Sequence, residues 1–336
     1  MKRYRDHKTD VLGGRLNEQL EQAVGGGALS DEELFSFAGF DAGAAERGGY
    51  SNYSYWGATV RAFLQNRTAV FFLCLMALVL AFTFIQPYLP NQRDPLLVHN
   101  NDWGLPLNNV PPGEEFWFGT NAIGQDLWAR IWAGTRTSLF IGFSVAVVEA
   151  VVGILVGMLW GYVRKLDFFF TELYNVLDNI PQTLLLILIS YVLKPGVSTI
   201  IFALSLTGWL GMARFIRNQI IIIRDREYNL ASRCLGTSIG RIAIRNILPF
   251  MTSVIVTMAA TEIPSYISYE VFLSYIGIGL KEMSLGRLIF EAEPAMVTSG
   301  WQFEFWSPVV VASIIAVVLY VVGQNLGDAS DPRTHM

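Results

Sequence analysis

Thr68–Ile85 reads TAVFFLCLMALVLAFTFI, an uncharged run of 18 residues. Wound as a helix rising about 1.5 Å per residue, it reaches about 27 Å, close to the roughly 30 Å hydrocarbon core of a bilayer. This run sets the reading of everything around it. The whole chain is 52% hydrophobic and 15% charged, with a mean hydropathy of +0.40, whereas soluble domains carry about 25% charged residues. The apolar residues are also bunched into long runs, which a soluble core does not require.

Working outward, further spans are expected at Leu139–Tyr162, Leu173–Leu193, Thr199–Ile216, Ser253–Tyr275 and Pro308–Val322, six with the first. An even number puts both ends of the chain on one side, and the side is set by Lys and Arg, which accumulate in cytoplasmic segments. Six of the 24 basic residues, Arg93, Arg130, Arg136, Lys194, Lys281 and Arg287, fall on one face, and the rest fall on the other. Both termini are therefore expected in the cytoplasm. The basic start MKRYRDHKTDVLGGRL precedes the first apolar run by too many residues to belong to a signal peptide. The expected divisions are an N-terminal region 1–67, a first helix 68–85, an outer segment 86–137, a five-helix core 138–323 and a tail 324–336. The N-terminal region is Gly-rich, with Ser30 and Glu33 spaced as a capping box for a short helix.

Several kinds of chemistry are excluded or unsupported. Cys74 lies in an apolar run and Cys234 in a basic one, so no Cys or Cys/His spacing supports a metal or disulfide framework. His7, His99 and His335 are scattered, which offers no constellation for a membrane enzyme. No GxxxxGK[ST] loop is present to cradle ATP phosphates. A secondary transporter, which would call for inverted repeats, stays open as an alternative, although no half-to-half similarity is evident.

The internal segment Arg224–Pro249, RDREYNLASRCLGTSIGRIAIRNILP, holds two helix-compatible pieces joined near Gly236. Glycine readily takes positive φ just past a helix end, so a helix, turn and helix are expected here. Ala231, Ser232 and Leu235 give the first piece a small face, Glu227 and Arg233 add charge, and Ile239, Ile242 and Ile247 can anchor the second. A surface helix of this kind can be gripped by a soluble partner.

This segment resembles the EAA loop of ABC importer permeases, through Ala231, Gly236, Leu248 and Pro249. Leu230 stands where the family pattern has an acid, Ser232 where it has a second Ala, and Asn246 where it has a hydrophobic residue or His. Four more stretches are similar to the C-type permeases of the oligopeptide, dipeptide and nickel branch: SNYSYWGATVRAFLQN at 51–66, FGTNAIGQDLWARIWAGTRTSLFIGF at 118–143, YEVFLSYIGIGL at 269–280 and NLGDASDPR at 325–333.

The resemblance implies an all-α integral membrane protein with the type I ABC importer permease fold and 224–249 as a cytoplasmic coupling helix. It implies a bacterial cell-membrane location and a non-catalytic role, with ATP and Mg bound by two separate ATPase subunits. The other implied partners are a second homologous permease, an extracytoplasmic substrate-binding lipoprotein and membrane lipid; no nucleic acid is involved. The implied substrates are oligopeptides or dipeptides, with nickel, haem or glycosides as alternatives. Within the coupling loop, Glu227, Ala231, Ser232, Arg233, Leu235, Gly236, Leu248 and Pro249 would meet the ATPase.

Other residues stand out inside the spans. Gly153, Gly157 and Gly161 form GxxxGxxxG, a face for close helix approach, either to a second subunit or within the chain. Glu149, Glu172, Asp178, Glu262 and Glu270 lie in or near spans, where ionised groups are costly. Glu149 and Glu262 could line a pathway and meet a peptide's amino group, or pair with an internal Arg. Pro181, Pro264 and Thr207-Gly208 interrupt spans. Trp103, Trp117, Trp128, Trp132, Trp301 and Trp306 fall on the outer side, suited to headgroup depth.

Overall fold

A computed structural model describes residues 55–330 of the chain. The capping box at Ser30 and Glu33, most of the N-terminal region, and the last residues of the tail lie outside the described residues. Helix α1 (Tyr55–Gln65) leads into α2 (Arg67–Ile85), whose N-cap Asn66 accepts a hydrogen bond from the Thr68 amide. Asn66 also donates to Asn325 at 2.7 Å, tying this corner to the far end of the chain.

The core consists of α3 (Leu127–Tyr162), α4 (Arg164–Asp178), α5 (Gln182–Val192), α6 (Val197–Arg224), α9 (Leu248–Tyr275) and α12 (Gln302–Ser330). Between α6 and α9 lie the short helices α7 (Glu227–Cys234) and α8 (Ile239–Ile242), followed by a π-helical turn at Ala243–Ile247. On the other side of the bundle, α10 (Leu285–Glu291) and α11 (Glu293–Met296) link α9 to α12. No strand occurs among the described residues; three isolated β-bridges brace the segment before α3.

Among the described residues, four helices are long and apolar enough to cross a membrane: α2 with the short 3-10 turn after it, α3, α6 and α12. The pair α4–α5 makes a fifth if the two are one broken span, bent by 81° around Pro181. The chain is a multi-pass membrane protein. Helix α9 has 28 residues and carries Glu262, Pro264 and Glu270 within it. It is central to the packing, lying against both α3 and α12.

Two expected boundaries move. Helix α3 starts at Leu127, 12 residues before the expected span, because Asp126 caps it by accepting from the Trp128 amide. The start is held by Arg130 on Glu291 at 2.7 Å and by Arg136 donating to the Thr83 carbonyl at 2.9 Å. Sequence reading placed both arginines in a loop; their aliphatic stems and charge partners keep them inside the helix. Helix α12 runs on to Ser330, so residues 324–330 continue the last span rather than starting a tail.

The segment between α2 and α3 is held by contacts of its own. Arg93 stacks over Phe116 at 4.0 Å and pairs with Glu115, and Gln125 donates to the Leu96 carbonyl. Phe82, Trp117, Phe118, Trp128 and Trp132 form one edge-to-face cluster, while Trp103, Trp301 and Trp306 remain exposed. Burial pushes the Asp126 carboxyl above the ordinary carboxylate range, opposed by the Trp128 amide and the Arg93 charge.

Helices α3 and α6 pack closely along a glycine face. A Cβ on Gly153 would sit 2.6 Å from the Met212 Cβ, and one on Gly157 2.6 Å from the Ala213 carbonyl oxygen and 2.8 Å from the Ile216 Cβ. On Gly161 it would meet the Ile220 Cβ at 2.9 Å. All three glycines therefore serve a contact within the chain.

Candidate functional site

Two places gather the residues singled out by sequence. The first is the α7–α8 turn. Helix α7 ends in a Schellman motif: the Gly236 amide donates to the Arg233 carbonyl and the Thr237 amide to the Ser232 carbonyl. Gly236 has φ of +82°, the left-handed conformation this motif needs and L-residues resist. A Cβ there would meet nothing within 4 Å, so the constraint on this residue is conformational.

One side of α7 is fastened to the bundle. Asn229 is fully buried, donating to the Ile223 carbonyl at 2.9 Å and accepting from Asn246 at 3.1 Å. Arg233 lies 5.6 Å over the Tyr162 ring, and Arg224 donates to the Gly161 carbonyl at 2.8 Å. The other side carries Glu227, Tyr228, Leu230, Ala231 and Leu235 into the open, Leu235 being 86% exposed. Ser232 is half-buried and spends its hydroxyl on the Tyr228 carbonyl.

Ile242 and Ile247 anchor the second piece, whereas Ile239, expected to join them, is exposed. Leu248 is half-buried, and Pro249 is exposed at the start of α9, directly after the π-helical turn. The Asn229–Asn246 bond escaped sequence reading; its only trace was Asn246 at a position where the family pattern has another residue type.

Asn229→Ala is expected to cost about 1–3 kcal/mol locally, because it strands the Ile223 carbonyl and the Asn246 amide. Limited proteolysis of the purified chain should show faster cutting within 224–249, and unchanged cutting would count against the bond.

The second place is a cavity of about 470 Å³ where α3, α6 and α9 meet the break between α4 and α5. Glu149, Asp178 and Glu262 line it, and no Lys, Arg or His does. Glu149 is 3% exposed; its Oε2 accepts from the Tyr266 hydroxyl, and its Oε1 has no hydrogen-bond partner. Gly208 makes room for it, since a Cβ there would overlap the carboxylate. The Thr207-Gly208 pair, expected to interrupt its span, admits Glu149 through the missing side chain of Gly208. Glu262 and Asp178 are exposed on the open side.

The Arg partner considered for the buried acids is absent among the described residues. Glu149 takes Tyr266, and Glu270, fully buried, accepts from Ser138 at 2.6 Å and Ser274 at 2.9 Å. Glu270 is thus a structural clamp between α3 and α9. No group of three or more His, Cys, Asp or Glu placed to hold a metal ion occurs among the described residues.

With this geometry in view, comparison with known proteins is direct. Residues 153–336 match the family described as binding-protein-dependent transport system inner membrane component, and residues 54–112 match the N-terminal TM domain of oligopeptide transport permease C. Oligopeptide transport system permease protein AmiD of Streptococcus pneumoniae is 39% identical over 307 residues, covering 91% of this chain and 98% of that protein. Bacillus subtilis supplies two further relatives. Its oligopeptide transport system permease protein OppC is 32% identical, covering 90% of this chain and 97% of its own. Its dipeptide transport system permease protein DppC is also 32% identical, covering 83% and 86%.

Proposed function

Because the chain belongs to the family of binding-protein-dependent transport system inner membrane components, we propose that it is a permease subunit of an ATP-driven importer of oligopeptides or dipeptides. The observation that carries this reading is the α7–α8 turn, a short helix fastened on one side and bare on the other. An apolar surface held this firmly at the end of a bundle is built for a partner. Lacking a phosphate loop, the chain takes its energy from two separate ATPase subunits that bind ATP and Mg. Glu227, Ala231, Ser232, Arg233, Leu235 and Gly236 form the docking helix, and Leu248 and Pro249 begin the return to the membrane.

In this reading α2, α3, the broken pair α4–α5, α6, α9 and α12 make six spans, with both termini and α7 on the Lys/Arg-rich cytoplasmic side. Helix α9 is long enough to span, and its buried Glu270 finds partners in the protein around it. The open side of the acidic cavity faces a second, homologous permease, and the translocation path runs between them. The outer segments receive an extracytoplasmic substrate-binding protein.

The test is reconstitution with the partner permease, the ATPases and the binding protein in proteoliposomes loaded with ATP. Labelled short peptides should accumulate only with ATP and binding protein present. Uptake driven by a proton gradient, with the ATPases left out, would overturn the reading.

A further inference from the structure

We infer that the cavity between α3, α6 and α9 is a subsite for an organic ammonium or guanidinium group of the substrate, with Glu149 and Glu262 as its counter-charges. The inference rests on the importer reading and names what the pathway recognises. Its first support is charge: three carboxylates line the cavity without a single basic residue, and only Asp178 has a basic group acting on it, Arg214 outside the lining. Acids left uncompensated in an apolar bundle are costly unless a cation visits.

The second support is independent of that clustering. Glu149 is 97% removed from solvent, and one of its carboxylate oxygens has no hydrogen-bond donor in a molecule where buried acids otherwise find them. Glu270, on a neighbouring turn of α9, shows the contrast, with both of its oxygens held by serines. The Thr207 hydroxyl beside Gly208 is likewise buried without a partner and lines the same cavity. A donor arriving from outside would complete both. Tyr266 fixes the other Glu149 oxygen, and Gly208 gives up its side chain so that the carboxylate can sit there.

The class of cation follows from size and spacing. The three carboxylates do not converge on one point, as no group of three ligands could hold a metal ion. The cavity volume, about 470 Å³, lies in the range of sites for small organic molecules. A peptide's free amino terminus, or a Lys or Arg side chain near it, satisfies both. Glu149 supplies the buried charge and Glu262, one turn before Tyr266 on α9, the exposed one at the mouth.

The experiment uses the reconstituted complex and pairs of peptides of one neutral sequence, with a free or an acetylated amino terminus. Both are supplied at saturating binding-protein occupancy, so recognition outside the membrane does not set the result. Wild-type uptake should favour the free amine by about tenfold or more, the usual scale for a desolvated charge pair. Glu149→Gln and Glu262→Gln should each bring that ratio close to unity. Glu262 is exposed, so its variant tests the inference even if the buried Glu149→Gln variant fails to assemble. A wild-type ratio near unity, or a ratio kept intact in Glu262→Gln together with any assembled Glu149→Gln, would overturn the subsite while leaving the importer standing. Absence of ATP-driven uptake of either peptide would instead overturn the importer reading on which it rests.

Discussion

Replacing Gly157 with leucine is expected to keep the chain from reaching its folded state. The glycine lies at the middle of the α3–α6 contact, and even a methyl there would sit 2.6 Å from the Ala213 carbonyl oxygen and 3.0 Å from its Cα. Those are backbone atoms of a helix, so no rotamer change relieves the overlap. The two helices must separate, and Gly153 and Gly161 lose their contacts with them. Overpacking a tight core costs about 1–3 kcal/mol when side chains can yield, and here they cannot, so Gly157→Leu should lie at or beyond the upper end. Gly211 offers the control: it lies on α6, but a Cβ there would meet nothing within 4 Å. Gly211→Ala should be neutral or stabilising by up to about 1 kcal/mol through helix propensity. Size-exclusion profiles and melting of the detergent-solubilised chain separate the two. A monodisperse, thermally normal Gly157→Leu variant would remove the seam from the account of the fold.

Gly236→Val should behave in the opposite way, leaving the bundle intact while abolishing uptake. No neighbour obstructs the new side chain; the penalty comes from φ of +82°. An L-residue in that conformation costs about 1–2 kcal/mol, and β-branching makes valine worse placed than most. The turn relieves the strain by giving up the Gly236–Arg233 and Thr237–Ser232 hydrogen bonds, which releases the C-terminal end of α7 and turns Leu235 away from its present aim. The core clusters lie elsewhere, so membrane insertion and melting should match wild type. Peptide uptake and substrate-stimulated ATPase activity should both fall by more than about tenfold if docking supplies more than the 1.4 kcal/mol that corresponds to such a loss. Gly236→Asn adds a finer distinction: asparagine tolerates the left-handed region and should restore much of both activities. Normal uptake by a well-expressed Gly236→Val variant would detach this turn from ATP coupling.

The two glycine sites show how far the sequence could be read. At Gly236 the requirement is local: two helix-compatible pieces with a glycine between them can close only in a few ways, so the turn was legible from the residues themselves. At Gly153, Gly157 and Gly161 the spacing announced a close approach but not to what, because a small face serves a subunit seam and an intrachain seam equally well. Only the placement of Met212, Ala213, Ile216 and Ile220 opposite them resolves it. The acids divide in the same way. Glu149 and Glu270 look alike in sequence, each a lone carboxylate in an apolar run. Serines on α3 and α9 make Glu270 a clamp, whereas Glu149 opens onto a cavity with one oxygen left over.

Sequence alone determined that this chain lives in lipid, that its bundle is helical, and that Arg224–Pro249 folds into a helical turn outside the apolar spans. Those properties follow from runs, periodicity and backbone preference, which act over a few residues and do not depend on distant ones. Tertiary structure decided where α3 begins, that the helices on either side of Pro181 meet at 81°, which helix the glycines face, and which acids share a cavity. Each of these turns on partners far apart in the chain, such as Arg130 with Glu291 or Glu149 with Tyr266. A burial cost can be read from a residue's type, but what offsets it is known only once the chain has brought the partner there.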